Sequence, residues 1–390
     1  MLTCQKSLFD LGEGVAYLNC ATLSPLSRRV VAAGQEGIQR KVRPWSIKPT
    51  DFFEPCDRLR ATFARLIAAE DLLEVALLPS VSYGLAQVAA NMPAMKGKNK
   101  IVLLEGQFPS NVYCWHRLAR TRQWECVQVA PPLTGSQRAA AWNEALLDAI
   151  DERTALVAMG PVHWTDGTCF DLEAVKQRVH RHGAVWVLDA TQFVGAHPFS
   201  VTDLGPDAVV AAGYKFLMGP YGIAFGWYGP RIQQGMPIEE NWANRMHSDD
   251  FARLINYQAH YRPGAQRFNV GEQANFITVP MMQAALDQVL EWGPARIQAY
   301  CRQLVHPYLD RLRAMGVEIA PQAWHIFGLH LPSHVPPQVL KEGLEALQVV
   351  VSVRGDAVRV SPNVYNTPED MERLVEALDH ALQDVRQTTH

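Results

Sequence analysis

The chain has 390 residues, of which 48% are hydrophobic and 19% are charged. This balance can bury a large core and excludes the charge-rich composition of a disordered protein. The formal net charge is −3 and no block of basic residues occurs, so the sequence disfavours nucleic acid as a partner.

Short apolar runs alternate with amphipathic stretches through the first two thirds of the chain. This alternation is typical of stacked βαβ units, and nearly continuous apolar runs indicate strands buried on both faces of a parallel sheet. The predicted strands are Val75–Leu78, Lys100–Leu104, Glu125–Val129, Ala155–Met159, Ala184–Leu188, Ala208–Ala211 and Ala224–Tyr228. The predicted helices between them are Tyr83–Asn91, Asn111–Thr121, Asn143–Ile150 and Leu172–His182.

From about Val279 a long helical pattern replaces the alternation and predicts a smaller domain. The pattern covers Pro280–Met315, with breaks around Trp292 and Gly293 and at Pro307. The elements predicted after it are strands at Trp324–Leu331, Val349–Val353 and Ala357–Ser361, helices at Pro337–Leu347 and Pro368–Gln383, and a hairpin turn at residues 354–356. We expect a large domain over residues 16–278 and a small domain formed by residues 1–15 and 279–390.

Cysteine usage and hydropathy indicate the compartment. The seven cysteines lie singly, without a C-x-x-C spacing or the density of a disulfide-rich secreted domain. No stretch reaches 18 uninterrupted apolar residues, and the N-terminus lacks the pattern of a signal peptide. We therefore expect a soluble, cytoplasmic protein with reduced thiols and no membrane partner.

Two consecutive predicted strands are each followed by a candidate catalytic residue. The segment VWVLDATQ at 185–192 ends an apolar strand with Asp189, at the edge where ligands of open α/β sheets bind. The next strand leads into GYKFLMGPYG at 213–222, where apolar neighbours favour the neutral, nucleophilic form of Lys215. Its glycines and proline predict a tight turn that holds the lysine on a short, rigid loop.

This carboxylate and this lysine, in this order, resemble those of the fold-type I pyridoxal-phosphate enzymes. The specific resemblance is to the class V aminotransferase family, which also contains cysteine desulfurases, kynureninases and isopenicillin epimerase-like proteins. It extends from YLN at 17–19 to VYNT at 364–367. It implies a three-layer α/β sandwich with a mainly parallel central sheet and a smaller α+β C-terminal domain. It also implies pyridoxal 5′-phosphate as the cofactor, with no metal, and a small amino-acid-like substrate.

The resemblance gives roles to the residues around the lysine. Lys215 would form the Schiff base with the cofactor aldehyde, and Asp189 would keep the pyridine nitrogen protonated, so that the ring accepts electrons. Gln192 matches the residue that hydrogen-bonds the phenolic oxygen of the ring. Tyr214 stands where desulfurases usually carry histidine, and its hydroxyl is expected on the phosphate.

Further cofactor contacts lie at the ends of other strands. Ser80, Val81 and Ser82 match the phosphate loop, at a helix start whose free N–H groups favour anions. Phe108, in EGQFPSN at 105–111, is the candidate to stack on the ring. His163, in PVHWTDG at 161–167, is predicted to line the site beside the ring.

The resemblance also implies substrate contacts and a second subunit. Arg359 matches the small-domain arginine that binds a substrate α-carboxylate through two parallel hydrogen bonds. Trp164 is assigned to the substrate side, although which of His163 and Trp164 touches the ring is left open. Gly271 and Glu272 match positions that reach the neighbouring subunit's phosphate, which implies a homodimer with the active site at its interface.

Most of these candidates also have a purely structural explanation. Lys215 alone would be an ordinary surface lysine, and Asp189 could cap a helix at Ala190. The other structural explanations are a ligand-free helix start for Ser80 and Ser82, a core position for Phe108 and His163, and a structural ion pair of Arg359 with Glu342 or Asp356.

The reaction is left open between transamination, epimerisation and elimination. A persulfide-forming desulfurase needs a thiolate before the clamp arginine, and no cysteine lies between Cys301 and Arg359. A lyase of C–S or C–C bonds that needs no thiol stays an alternative, as does a non-catalytic relative that uses the fold as a binding platform. A nucleotide-dependent oxidoreductase is disfavoured, because no G-x-G-x-x-G joins a strand to a helix.

Overall fold

The computed structural model describes residues 2–132, 137–320, 322–332, 335–354 and 357–388. The strands, numbered in chain order, are Ala16–Tyr17 (β1), Val75–Leu78 (β2), Lys100–Leu104 (β3), Glu125–Val129 (β4), Thr154–Met159 (β5), Val185–Asp189 (β6), Ala208–Ala212 (β7), Ala224–Tyr228 (β8), Phe327–His330 (β9), Val349–Val350 (β10), Ser352–Arg354 (β11) and Ala357–Val360 (β12). The α-helices are Arg28–Val42 (α1), Glu54–Leu66 (α2), Val81–Ala90 (α3), Ser110–Arg122 (α4), Arg138–Ala149 (α5), Leu172–His182 (α6), Val201–Leu204 (α7), Thr278–Trp292 (α8), Pro294–Val305 (α9), Leu309–Ala314 (α10), Pro337–Ala346 (α11) and Pro368–Thr388 (α12).

The central sheet has seven strands in the order β2-β8-β7-β6-β5-β3-β4. β8 runs antiparallel to β2 and β7, and the other neighbouring pairs are parallel. The reversal follows from the tight connection between β7 and β8, since a parallel neighbour would need a long crossover. The predicted mainly parallel sheet is confirmed, and its predicted strand bounds agree with the structure to within one residue.

The strands of this sheet are buried on both faces. In β6, Trp186 and Leu188 belong to one hydrophobic cluster, which α1, α2 and α8 also join, whereas Val185 and Val187 belong to another, which α3 and α4 join. Successive side chains point to opposite faces of a sheet, so an uninterrupted apolar strand contributes to both cores. The three-layer arrangement of helices around a sheet follows from this pattern.

The C-terminal part contains a smaller, antiparallel sheet. Its strands lie in the order β11-β12-β9 and share a separate hydrophobic cluster with α11 and α12. The prediction of a single strand at Val349–Val353 is wrong. The chain instead pairs β10 with β1 and β11 with β12, on either side of Val351. A run of β-branched residues indicates an extended backbone but not which strand it pairs with. The sequence therefore gave no sign that the pairing strand changes at Val351.

Other expectations about organisation have mixed outcomes. The long helical pattern is confirmed as α8, α9 and α10, broken where Gly293 and Pro307 were predicted to interrupt it. The predicted turn at 354–356 includes residues outside the described ones, and the domain boundary at residue 278 stays a prediction. In the described part of the chain, no helix is both long and apolar enough to cross a bilayer.

Gly167 brings the loop after β5 against the segment before β9. Its φ is +75°, and an added Cβ would lie 2.3 Å from the carbonyl oxygen of Ile326. This close approach of two backbones is open only to glycine. Gly97 has a similar φ of +78°, but an added Cβ there would meet nothing within 4 Å.

We expect Gly167→Ala to be far more destabilising than Gly97→Ala. Both changes place alanine at positive φ, which costs about 1 kcal/mol, whereas the clash with Ile326 adds about 2 kcal/mol or more. The free energies of unfolding of the two variants, from urea titrations, measure the difference. Equal destabilisation by the two substitutions would contradict the proposed backbone contact.

Candidate active site

The ends of β2, β3, β5, β6 and β7 meet at one edge of the central sheet. Because parallel strands share a carboxyl edge, side chains that are far apart in sequence converge there. They enclose a cavity of about 240 Å³. The predicted residues that line it are Ser80, Val81, Ser82, Phe108, His163, Trp164, Asp189, Gln192, Tyr214 and Lys215.

Lys215 lies in the turn after β7 and is 8% exposed. Its Nζ is 5.5 Å from the centre of the Phe108 ring and 5.8 Å from that of Tyr214. Burial lowers the pKa of Lys215 to about 8, although the charge of Asp189 opposes the shift. Relative to an unperturbed lysine, this pKa raises the fraction of neutral amine at pH 7 by about 300-fold. Lys215 is therefore a buried amine rather than an ordinary surface lysine.

The loop that carries Lys215 is held by its own hydrogen bonds. The Gly213 N–H donates to the Ile223 carbonyl (2.9 Å), and the Met218 N–H donates to the Lys215 carbonyl (2.9 Å). An added Cβ at Gly219 would lie 2.3 Å from the sulfur of Met282 in α8, so helix and loop pack closely. The expectation of a tight, well-held turn agrees with this geometry.

Asp189 ends β6 and lines the cavity beside the lysine. Its Oδ1 accepts a hydrogen bond from the Thr191 N–H (3.2 Å), so the carboxylate also caps a local turn. Burial raises the pKa of Asp189, and the hydrogen bonds of Thr191 oppose that shift. A carboxylate at this position can stabilise a positive charge placed in the cavity.

Gln192 lies three residues beyond Asp189 and is buried. Its Nε2 donates to the Ala21 carbonyl (3.1 Å), whereas its Oε1 is buried without a partner. A buried amide oxygen that lacks a donor is costly, and the second hydrogen on Nε2 is left for a ligand. Gln192 thus has hydrogen-bonding capacity directed at the cavity.

Ser80 and Ser82 begin α3 and also face the cavity. The Ser80 Oγ accepts from the Tyr83 N–H (3.2 Å) and lies 2.9 Å from the Ser82 Oγ. The structural explanation, a capped helix start, therefore holds together with the functional one. The first N–H groups of α3 have no partner within the helix, which makes this end of the cavity suited to an anion.

His163 is a buried, neutral ring rather than an acid or base. Its Nε2 lies 3.2 Å from the Glu105 carbonyl oxygen, which can only accept, so Nε2 carries the proton and Nδ1 accepts from the Thr165 hydroxyl (2.7 Å). Burial lowers the pKa of His163 to about 4, although Asp166 opposes the shift. His163 thus keeps a fixed tautomer at pH 7 and contributes shape to the cavity.

Phe108 and Trp164 form an aromatic wall. Phe108 is 42% exposed, which excludes a simple core role, and its ring meets that of Trp164 edge to face at 5.4 Å. The Trp164 indole N–H donates to the Gly106 carbonyl (2.7 Å). Both His163 and Trp164 line the cavity, so the question of which touches a bound ring stays open.

Arg359 lies in β12, is 1% exposed and is not among the described residues that line the cavity. Its Nη1 donates to the Trp164 carbonyl (2.8 Å), its Nη2 donates to the Thr22 hydroxyl (2.6 Å), and its Nε is buried without a partner. Burial lowers the pKa of Arg359 to about 10. Among the described residues it forms no ion pair, with Glu342 or any other acid, and Asp356 lies outside them.

Gly271 and Glu272 lie away from the cavity of their own chain. The Gly271 N–H donates to Glu239 Oε1 (2.8 Å), and Glu272 is exposed with φ of +59°. Their predicted contact with a neighbouring subunit stays a prediction.

Sequence reasoning missed several residues of this site. Thr191 follows Asp189 at the spacing of an Asx turn, which was a usable signal. Tyr221 lines the cavity from the turn after the lysine, and its ring is 4.5 Å from that of Tyr214. Thr22 had no signal, because 337 residues separate it from Arg359.

The comparisons with known proteins agree with this geometry. A sequence profile described as aminotransferase class-V matches residues 17–374. The chain belongs to the class V aminotransferase family. An uncharacterised aminotransferase of Bacillus subtilis is 27% identical over 96% of both chains. Isopenicillin N epimerase of Streptomyces clavuligerus is 24% identical over 82% of this chain and 83% of its own. A cysteine desulfurase from Thermococcus onnurineus, 18% identical, shares the fold with a TM-score of 0.80 over 98% and 99% of the two chains.

The family uses pyridoxal phosphate, and the cavity of this class V aminotransferase family member fits that group. Lys215 offers an amine of lowered pKa for an aldehyde, and the start of α3 offers N–H groups for a phosphate. Gln192 has a free amide hydrogen, and Asp189 faces the same space. The predictions of the family, the fold, the cofactor and the enzyme class are confirmed.

We expect the apoprotein to capture pyridoxal phosphate faster as the pH rises, with a midpoint near 8 rather than 10.5. The reason is that the neutral form of Lys215 reacts and predominates only above its pKa. Stopped-flow absorbance at a series of pH values measures the capture rate. In Asp189→Asn the midpoint should fall, because Asp189 raises the pKa of Lys215. A wild-type midpoint near 10.5 would contradict this account.

Proposed function

We propose that the enzyme acts at the α-carbon of an amino acid, with Lys215 moving the α-proton, Asp189 holding the cofactor ring and Arg359 holding the substrate carboxylate. The observation that carries the proposal is the pairing of a buried amine of lowered pKa with a carboxylate in one cavity. Bound pyridoxal phosphate supplies an electron-accepting ring there. The remaining tasks fall to residues of the chain.

The charges along the cavity orient the bound groups. The start of α3 would bind the phosphate through N–H groups, and the Asp189 carboxylate would accept a hydrogen bond from the protonated ring nitrogen. Arg359 uses N–H groups that Trp164 and Thr22 leave free to hold the α-carboxylate. Fixing both ends places the α-carbon beside the cofactor, and orientation decides which of its bonds breaks.

Lys215 is suited to carry the proton. Its Nζ has no hydrogen-bond partner among the described residues, so it is free to accept a proton from the α-carbon. The rings of Phe108 and Tyr214 flank the amine, and the lysine is 8% exposed. A base with a pKa near the working pH both takes and returns a proton efficiently.

Among the described residues that line the cavity, Lys215 is the one we assign as a base, which favours transamination. His163 has both ring nitrogens engaged, and burial keeps its pKa near 4. A single base on one side of the substrate suits a reaction that removes and returns the proton on that side. Inversion at the α-carbon would need an acid on the opposite side. Transamination is therefore the first reaction to test, ahead of epimerisation and lyase chemistry.

Persulfide formation is disfavoured by the thiols. No cysteine lines the cavity. Cys20 lies near Lys215 but is fully buried, and burial raises its pKa to about 12. A thiolate is the nucleophile in that chemistry, so Cys20 would be inactive at neutral pH. A thiol-independent lyase stays the second candidate, since a fold neighbour is named as a cystine C–S lyase.

We expect the purified protein with added cofactor to show a visible absorbance band that Lys215→Ala lacks. Lys176→Ala is the matched control, because Lys176 is on the surface and pairs with Glu173. A screen of amino acids then follows released keto acid, ammonia, sulfide and inverted α-carbon. Keto acid formed only when an acceptor keto acid is present supports transamination. A wild-type protein that stays colourless with cofactor would contradict the proposal.

We also propose that two chains form a homodimer and share each active site. Gly271 would reach the neighbour's phosphate, and Glu239 and Asn241 hold the turn that presents it. The exposed apolar side chains of Ile255 (80%) and Tyr257 (93%) lie on a nearby segment of the same chain and would be covered by a partner.

Mixed dimers of Lys215→Ala and Gly271→Asp should regain activity that neither variant has alone. If the sites are shared, both defects fall in the same site of a mixed dimer and the other site stays intact, so about half of the sites in the isolated mixed dimers are active. Co-expression with two affinity tags isolates the mixed dimers, and light scattering gives their mass. A monomeric wild-type protein, or no regained activity, would contradict the shared site.

A further inference from the structure

A second arginine lies on the same face of the small sheet as the proposed carboxylate clamp. In the antiparallel pair of β11 and β12, Ser352 is opposite Arg359 and Arg354 is opposite Ala357. Side chains alternate along a strand, so Arg354 and Arg359 project from one face as diagonal neighbours. A register shifted by one residue would point Arg354 away.

Both guanidinium groups lie against the same indole of the cavity. The Cζ of Arg354 is 5.6 Å from the centre of the Trp164 ring, and that of Arg359 is 5.9 Å from it. Trp164 is fixed by its hydrogen bond to Gly106 and by its contact with Phe108. One short chain of carbon atoms that lies along the indole can therefore reach both arginines.

Arg354 has donors to spare. Its Nη1 donates to the Val353 carbonyl (3.0 Å), and its Nε is buried without a partner. Within the described ranges, no carboxylate lies at ion-pair distance from Arg354 or Arg359. Two like charges near each other in a partly buried site oppose each other, and a bound anion removes that cost. After burial, the charge of Arg354 is the next cause that lowers the pKa of Arg359.

The charges of the site exceed what one amino-acid carboxylate can neutralise. Asp189 is the one acid among the described residues that line the cavity, and the proposed function pairs it with the cofactor ring. Arg359 would take the α-carboxylate, and the phosphate lies at the start of α3. Arg354 is then left beside Trp164 with its Nε and Nη2 donors free, a planar pair that matches a second carboxylate.

We propose that the substrate is an acidic amino acid with a second carboxylate on its side chain, and that Arg354 binds this group. The inference rests on the proposed function, because it takes Arg359 as the clamp of the α-carboxylate. It deepens that function by naming the substrate class. Arg354 is a specificity residue in this arrangement, since it meets the side chain and leaves the reacting atoms alone.

The test compares unreactive ligands of the holoenzyme. Succinate and butyrate differ only in that a methyl group replaces one carboxylate, and neither has an amine that could react with the cofactor. Calorimetry measures both dissociation constants on wild-type protein, Arg354→Gln, Arg354→Lys and Val353→Gln. Val353 is the matched control, because it is in the same strand, points to the opposite face from Arg354 and has a side chain that is 52% exposed.

We expect wild-type protein to bind succinate about tenfold or more tightly than butyrate, since one charged hydrogen-bonded pair separates the two ligands. Arg354→Gln should bring the ratio close to one, Arg354→Lys should restore part of it, and Val353→Gln should leave it unchanged. Arg359→Gln should weaken binding of both ligands.

A wild-type ratio near one, or an unchanged ratio in Arg354→Gln, would overturn the inference. The visible band of the cofactor is recorded on every sample. A normal band with no preference for succinate refutes the second carboxylate and leaves the proposed function standing, whereas a missing band in wild-type protein refutes the proposed function itself.

Discussion

The site depends on a buried lysine amine that forms no ion pair or hydrogen bond with any of the described residues. Removing an ammonium from water is unfavourable, so the neutral form of Lys215 gains from its position beneath Phe108 and Tyr214. Lys100 is similarly buried, but its ammonium donates to Asp151 and to the Ala149 carbonyl, both at 2.7 Å. The two buried lysines thus differ in role. Lys100 is a structural cation with an ion pair and a hydrogen bond, whereas the Lys215 amine is left available for a ligand.

The fold explains why this lysine has a carboxylate beside it. β6 and β7 are parallel neighbours, so Asp189 and the turn that carries Lys215 leave the sheet at the same edge. The tight return into β8 then limits how far the lysine can move, with Gly213 bonded to Ile223 at the base of the turn. A longer crossover after β7 would have left the amine on a mobile segment. The antiparallel strand in an otherwise parallel sheet thus serves the chemistry.

Much of the fold was predictable, because its strands are buried on both faces and therefore read as apolar runs. The site residues from Ser80 to Lys215 were predictable for a related reason, because each closely follows one of these apolar runs. Contacts between distant segments gave no such signal. The split of residues 349–354 between two sheets depends on partners, as does the bond of Arg359 to Thr22. Arg354 was missed for the same reason, since its relation to Arg359 exists only in the register of β11 and β12. Gly271 and Glu272 were placed by resemblance alone, and their role stays a prediction.

The order of charges in the cavity thus matches a bound phosphate, a cationic ring and an anionic substrate, with a buried amine of lowered pKa between them. The central claim is that Lys215, and no other lysine, carries the cofactor. Reduction of the holoenzyme with borohydride, followed by peptide mass mapping, tests it most directly, because reduction makes the bond to the amine permanent. The account predicts the pyridoxyl label on the peptide that contains Lys215. A label on another lysine, such as Lys98 or Lys100, or no label at all would contradict it.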